Sequence, residues 1–104
     1  MKMVITTYPQ ISCAEKVAKM LVKKKIAACV QILPKMNSIY NWEGEIKNNN
    51  EFLTIIKTNE IYLSEVIKII FETHPYNTPE IIEVEGNILN SDYKKWFKES
   101  FWTE

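Results

Sequence analysis

A chain of 104 residues, 46% hydrophobic and 25% charged, with 13 basic residues against 13 acidic, is the size of one domain around one core, spanning residues 1–104. Every basic residue is a lysine, so zero net charge and the lack of a guanidinium fork argue against a nucleic-acid partner. Two glycines, Gly44 and Gly86, leave no material for a phosphate loop, a dinucleotide fingerprint or a nucleophile elbow.

The opening Met1 to Ile5 runs at once into Thr6 and Thr7, which is not the apolar stretch of a signal peptide, and no apolar run nears the roughly 20 residues of a membrane span. A first strand is predicted over Met3 to Tyr8, stopped by Pro9. Ser12 and Glu15 have capping-box spacing, so a helix is expected from about Cys13, with Ala14, Val17, Ala18 and Leu21 as its buried stripe. The lysines Lys23 to Lys25 close that helix, where cations suit the dipole.

Ile26 to Leu33 reads as an inner strand that Pro34 interrupts before it resumes over Ser38 to Trp42. Glu43 and Gly44 supply the turn of a hairpin, which sets Trp42 against Glu45 and carries Ile32 to Ile55; Asn48 to Asn50 offer a bulge or an alternative turn. Phe52 to Lys57 is the returning strand. Asn59 caps a helix with Leu63, Val66, Ile67 and Ile70 on one face, which runs to about Thr73 and is ended by Pro75. Ile81 to Glu85 forms a last strand, and Ser91 caps a short helix carrying Tyr93, Trp96 and Phe97.

The order β-α-β-β-α-β plus a terminal helix is the α+β, ferredoxin-like split βαβ arrangement, an antiparallel sheet with helices on one face. A hairpin long for so small a sheet, and aromatics at its tip and in the tail, exceed what one core covers, so a closed symmetric oligomer is expected. Cys13 and Cys29 form no CxxC and no disulfide framework, which points to free thiols and the cytoplasm.

His74, the single histidine, lies between Thr73 and Pro75 in a polar loop that Pro79 also stiffens; it reads either as a satisfied helix-end histidine or as a ligand. One histidine and two distant cysteines make no single-chain zinc site, whereas copper is less demanding of ligand number. Cys29 in a core strand reads first as a small hydrophobe, and Lys57 as a packed stem with a solvated head, the alternative being an anion contact in a subunit cleft. No nucleophile, base and orienting group occur together, so an enzyme is not expected and no cofactor is obligatory.

Ala27-Ala28-Cys29-Val30, Ser38 to Ile46 with its Tyr-x-Trp-x-Gly core, Ile55-Ile56-Lys57-Thr58, His74 to Ile81 with its His-Pro-Tyr-x-x-Pro-Glu, and Asp92 to Trp96 together resemble the CutA family of divalent-cation-tolerance proteins over nearly the whole chain. The resemblance implies a ferredoxin-like homotrimer associated with tolerance of copper and other divalent cations. It implies that Cys29, Tyr40, Trp42, Lys57, His74, Tyr76 and Glu80 lie around intersubunit clefts, with His74 at a position linked to copper in some members. Thr6 or Thr7, and Thr73, stand where some members carry a cysteine and a second histidine, so only weak copper binding through His74 is expected. The alternative function is a signalling or scaffold module that takes a small anion in those clefts, with Lys57 as its contact.

Overall fold

The computed structural model describes residues 1–103. In chain order it contains β1 (Lys2–Tyr8), α1 (Ile11–Lys23), β2 (Cys29–Ile32), β3 (Met36–Trp42), β4 (Glu45–Thr58), α2 (Leu63–Thr73), β5 (Ile82–Glu85) and α3 (Ser91–Glu99). The sheet runs β2-β4-β1-β5, with β3 continuing beside β4, and every pairing is antiparallel. Because β2 and β3 use the same partner in succession, they act as one interrupted strand, which gives the ferredoxin-like α+β order expected.

The strand period of two divides the sheet into two chemistries. One face sends Val4, Tyr8 and Ile56 against Ala14, Val17 and Leu21 of α1 and Val66 and Ile70 of α2. Leu21, Ile56 and Ile70 are completely buried, each contributing about 1.5–3 kcal/mol of transfer free energy. A smaller cluster of Ala28, Phe97 and Phe101 ties α3 and the tail to the sheet end, and the Tyr62 hydroxyl donates to the Trp102 carbonyl at 2.6 Å. The opposite face, turned away from α1 and α2, carries Met3, Ile5, Leu53 and Ile55 with the exposed Ile82 and Val84 of edge strand β5.

The hairpin turn falls at Glu43 and Gly44 as expected. Both have left-handed backbone, with φ of 52° and 82°, and the Asn41 side chain accepts from the Gly44 N–H at 3.2 Å. Such a turn matches the strand twist and sets Trp42 opposite Glu45. Asn48 to Asn50 lie inside β4, paired with Ile39, Ser38 and Asn37.

The expected pairing of Ile32 with Ile55 is wrong by one residue: Ile32 faces Thr54, while Met36 faces Glu51. Three residues, Leu33 to Lys35, stand opposite Phe52 and Leu53, and Pro34 has no N–H to give to a ladder, so the extra residue bulges there. The inner strand is also shorter than expected. Ile26 to Ala28 are buried but precede β2, because Lys25 turns the chain with φ 59°.

Three caps differ from the sequence reading. α1 begins at Ile11 with Gln10 as its N-cap and no side-chain cap bond, so Ser12 lies within the first turn and cannot close a box with Glu15. At α2 the N-cap is Tyr62, with no side-chain cap bond, and Asn59 instead accepts from the Tyr62 N–H at 3.0 Å in the turn that leads into the helix. At α3 the cap is Asn90, whose Oδ1 accepts from the Tyr93 N–H at 3.0 Å, with Ser91 as the first helical residue.

Candidate functional site

The long hairpin stands away from the two-layer body and stretches the molecule to 47 Å. One face of the hairpin and the loop that follows α2 enclose a groove of about 930 Å³. Alternation along β3 and β4 supplies one wall, with Tyr40 opposite Lys47, Ser38 opposite Asn49 and Glu51 at the base. Tyr76, Asn77, Thr78 and Glu80 supply the other wall, and Thr7 forms part of the floor. The rigidity of that second wall comes from Pro75 and Pro79, which fix the backbone on either side of Tyr76 to Thr78.

His74 fastens the loop to the sheet. Its Nε2 lies 2.7 Å from the Thr7 carbonyl and its Nδ1 accepts the Tyr76 backbone N–H at 3.1 Å. A carbonyl can only accept, so Nε2 carries the proton and the ring is the neutral tautomer. The ring stacks on Tyr8 with centroids 4.5 Å apart and leans on Tyr76 at 5.0 Å. Burial lowers the His74 pKa from its ordinary value, against the opposing pull of the Thr7 carbonyl and the Glu51 charge. Both ring nitrogens are thus engaged within the chain.

Tyr76 continues the network, donating from its hydroxyl to Glu51 Oε2 at 2.9 Å. Glu51 is only 7% exposed. The Tyr76 pKa is pushed up to about 12, first by burial and then by the Glu51 carboxylate that holds its proton. Tyr8, under His74, is likewise pushed up to about 12 by burial, and its hydroxyl has no partner among the described residues. At the outer end of the groove Tyr40 and Trp42 are 39% and 49% exposed, and the Tyr40 hydroxyl accepts from the Asn49 amide.

Of the residues singled out in the sequence, Tyr40, Trp42, Tyr76 and Glu80 line this groove and His74 braces it from behind. Cys29 and Lys57 do not join them. They pair with one another across β2 and β4, on the same sheet face but six residues from Glu51, about 20 Å at the rise of a strand. There Lys57 Nζ lies 5.7 Å from the Tyr93 ring centre. Glu51 was not anticipated; beside three asparagines it reads as a solvated strand residue, and only the hairpin register places it on the groove face. Among the described residues no three His, Cys, Asp or Glu side chains converge to hold a metal ion.

Comparison with known proteins follows the same outline. The sequence profile of the family described as CutA1 divalent ion tolerance protein matches residues 2–100. The divalent-cation tolerance protein CutA of Pyrococcus horikoshii is 40% identical over 99 residues, 95% of this chain and 96% of that protein. The human protein CutA is 32% identical over 93 residues, 89% of this chain and 52% of the human one. The crystal structure of CutA1 from Oryza sativa superposes with a TM-score of 0.92 at 33% identity, covering 99% of this chain and 94% of that one. That of CutA1 from Pyrococcus horikoshii gives 0.90 at 38%, covering 99% and 100%.

Proposed function

The chain belongs to the CutA1 divalent ion tolerance family, and from that premise we propose that it works as a cytoplasmic, non-enzymatic homotrimer whose groove takes a charged ligand. The observation that carries the reading is the groove itself, in which a rigid loop clasped by His74 faces an aromatic hairpin over a buried carboxylate. Assembly is supported by the uncovered sheet face, where Ile82 is 48% exposed beside Val84, Ile5 and Ile55, and by the hairpin, where Ile39 and Ile46 are 69% and 74% exposed. An apolar face of this extent on so small a domain calls for a partner, and copies related by a closed rotation bury it evenly. The free cysteines Cys13 and Cys29 suit a reducing compartment. One relative, from Archaeoglobus fulgidus, is described as periplasmic, so cell fractionation tests the compartment.

For the metal, the single chain does not fit a tight centre. A copper or other divalent ion at His74 must displace either the Thr7 carbonyl or the Tyr76 N–H from the ring, and among the described residues His74 is in no group of three His, Cys, Asp or Glu side chains. The metal contact in this reading is therefore weak and centred on His74. The anion alternative has less support, because Lys57 lies away from the groove and the groove's charged side chains are Glu51, Glu80 and Lys47, the last 2.9 Å from Glu45. The test is an equilibrium titration of the reduced protein with copper and with zinc, in the wild type and in His74→Ala. Weak binding lost in the variant supports the metal contact; binding unchanged by the substitution refutes it.

A further inference from the structure

Glu51 is a carboxylate in an unusual position. It is 7% exposed, and among the described residues its one hydrogen-bond partner is Tyr76, which serves Oε2. Oε1 has no protein donor among the described residues and opens to the groove that the residue lines. A carboxylate with so little water around it gains from a cation or further donors. The nearest candidate within the groove, Lys47, sits on the hairpin with its Nζ at Glu45. Glu80 adds a second carboxylate on the facing wall, while Tyr40, Trp42 and Tyr76 contribute three aromatic rings.

This combination discriminates among ligand classes. Anions meet two carboxylates and one engaged lysine. Hydrated divalent ions need several hard oxygen or nitrogen ligands in a shell, which the groove's side chains do not form. A weakly hydrated organic cation needs negative charge with aromatic rings beside it, whose quadrupole attracts positive charge, and the lining supplies both. We propose that the groove is a binding site for a small organic cation, with Glu51 and Glu80 as its counter-charges and Trp42, Tyr40 and Tyr76 as its walls. The proposal rests on the reading of this groove as the ligand site and names the chemistry it would take.

The test follows the Trp42 indole N–H and the Tyr76 and Thr78 amides by nuclear magnetic resonance while methylguanidinium chloride or tetramethylammonium chloride is added, against sodium chloride at equal ionic strength. Saturable shifts confined to the groove are expected from at least one probe, methylguanidinium adding hydrogen bonds to what tetramethylammonium finds in charge and ring faces alone. Glu51→Gln should weaken binding about tenfold, the factor for one charge-assisted contact of about 1.4 kcal/mol. If that variant does not fold, Trp42→Leu at the exposed hairpin tip should weaken it comparably. Shifts that grow linearly and equal those with sodium chloride, or binding unaltered in both variants, would overturn the proposal. A protein that binds the probes yet takes no copper and sediments as a monomer keeps the organic-cation site and loses the family-type reading; a copper-binding trimer blind to both probes does the reverse.

Discussion

Replacing His74 by alanine should destabilise the protein by about 3 kcal/mol, from two hydrogen bonds of about 1 kcal/mol each and a ring stack of about 0.5–1.5 kcal/mol. The bonds are those to the Thr7 carbonyl and from the Tyr76 N–H, and the stack is on Tyr8. Thr7 is 5% exposed, so its orphaned carbonyl does not simply turn to water. His74→Gln restores a donor near Nε2 and His74→Asn an acceptor near Nδ1, and each should recover about 1 kcal/mol of the loss. The assay is urea unfolding at a fixed protomer concentration, since assembly makes apparent stability concentration-dependent. The direction of the pH effect follows from burial. A folded pKa held below the ordinary 6.5 means that the unfolded chain takes the proton first, so this stability is complete above 6.5 and is lost as pH falls through the folded value. His74→Gln should remove that acid-side slope. An alanine variant within 1 kcal/mol of wild type, or an unchanged slope in His74→Gln, would refute the clasp and leave the ring free for a metal.

Tyr76→Phe removes the one donor to Glu51 and should cost about 1.5 kcal/mol, the low end for a hydrogen bond to a charged group because the groove admits water; calorimetry of the variant checks it. In the wild type the raised Tyr76 and Tyr8 pKa values, each about 12, make stability constant below the ordinary value of 10 and decreasing between 10 and 12, and an alkaline unfolding series should show that shoulder shrink in Tyr76→Phe. Gly44→Ala meets no atom within 4 Å but keeps φ at +82°, so the strain alone should lower stability by about 1 kcal/mol, read as a fall in Tm with the fold intact by circular dichroism. Ile82→Asp places a charge on the uncovered sheet face; it should leave circular dichroism unchanged and reduce the mass in light scattering, and an unchanged mass would show that this face is not the contact.

Much of this fold was written in local chemistry. Gly44 after Glu43 named the turn because few other sequences accept two successive positive φ values, and Pro9 and Pro75 marked element ends through the same backbone restriction that the structure shows. The failures came where local rules compete. Ser12 and Glu15 have the spacing of a box, but α1 starts before them, and a hydroxyl inside the first turn has no cap to make. Pro34 announced an interruption without saying how many residues it would absorb, and the extra one shifted Ile32 from Ile55 to Thr54. The site divided along the same line. Tyr40, Trp42, Tyr76 and Glu80 could be named from motif positions, yet Glu51 became visible only when the loop carrying Tyr76 was brought across β4, a contact of 25 residues' separation that no local pattern encodes. Cys29 and Lys57 share a register pair, and that pairing, not the motif, fixes their distance from the groove.

The proposed ligand groove belongs to a closed homotrimer, so its setting depends on whether the uncovered sheet face and hairpin serve assembly. Sedimentation equilibrium of the wild type at micromolar concentration measures this directly. A single species with three times the mass of the chain, held across a tenfold dilution, is the expected result. A monomer at that concentration, with Ile82, Val84 and the hairpin open to solvent, would contradict it.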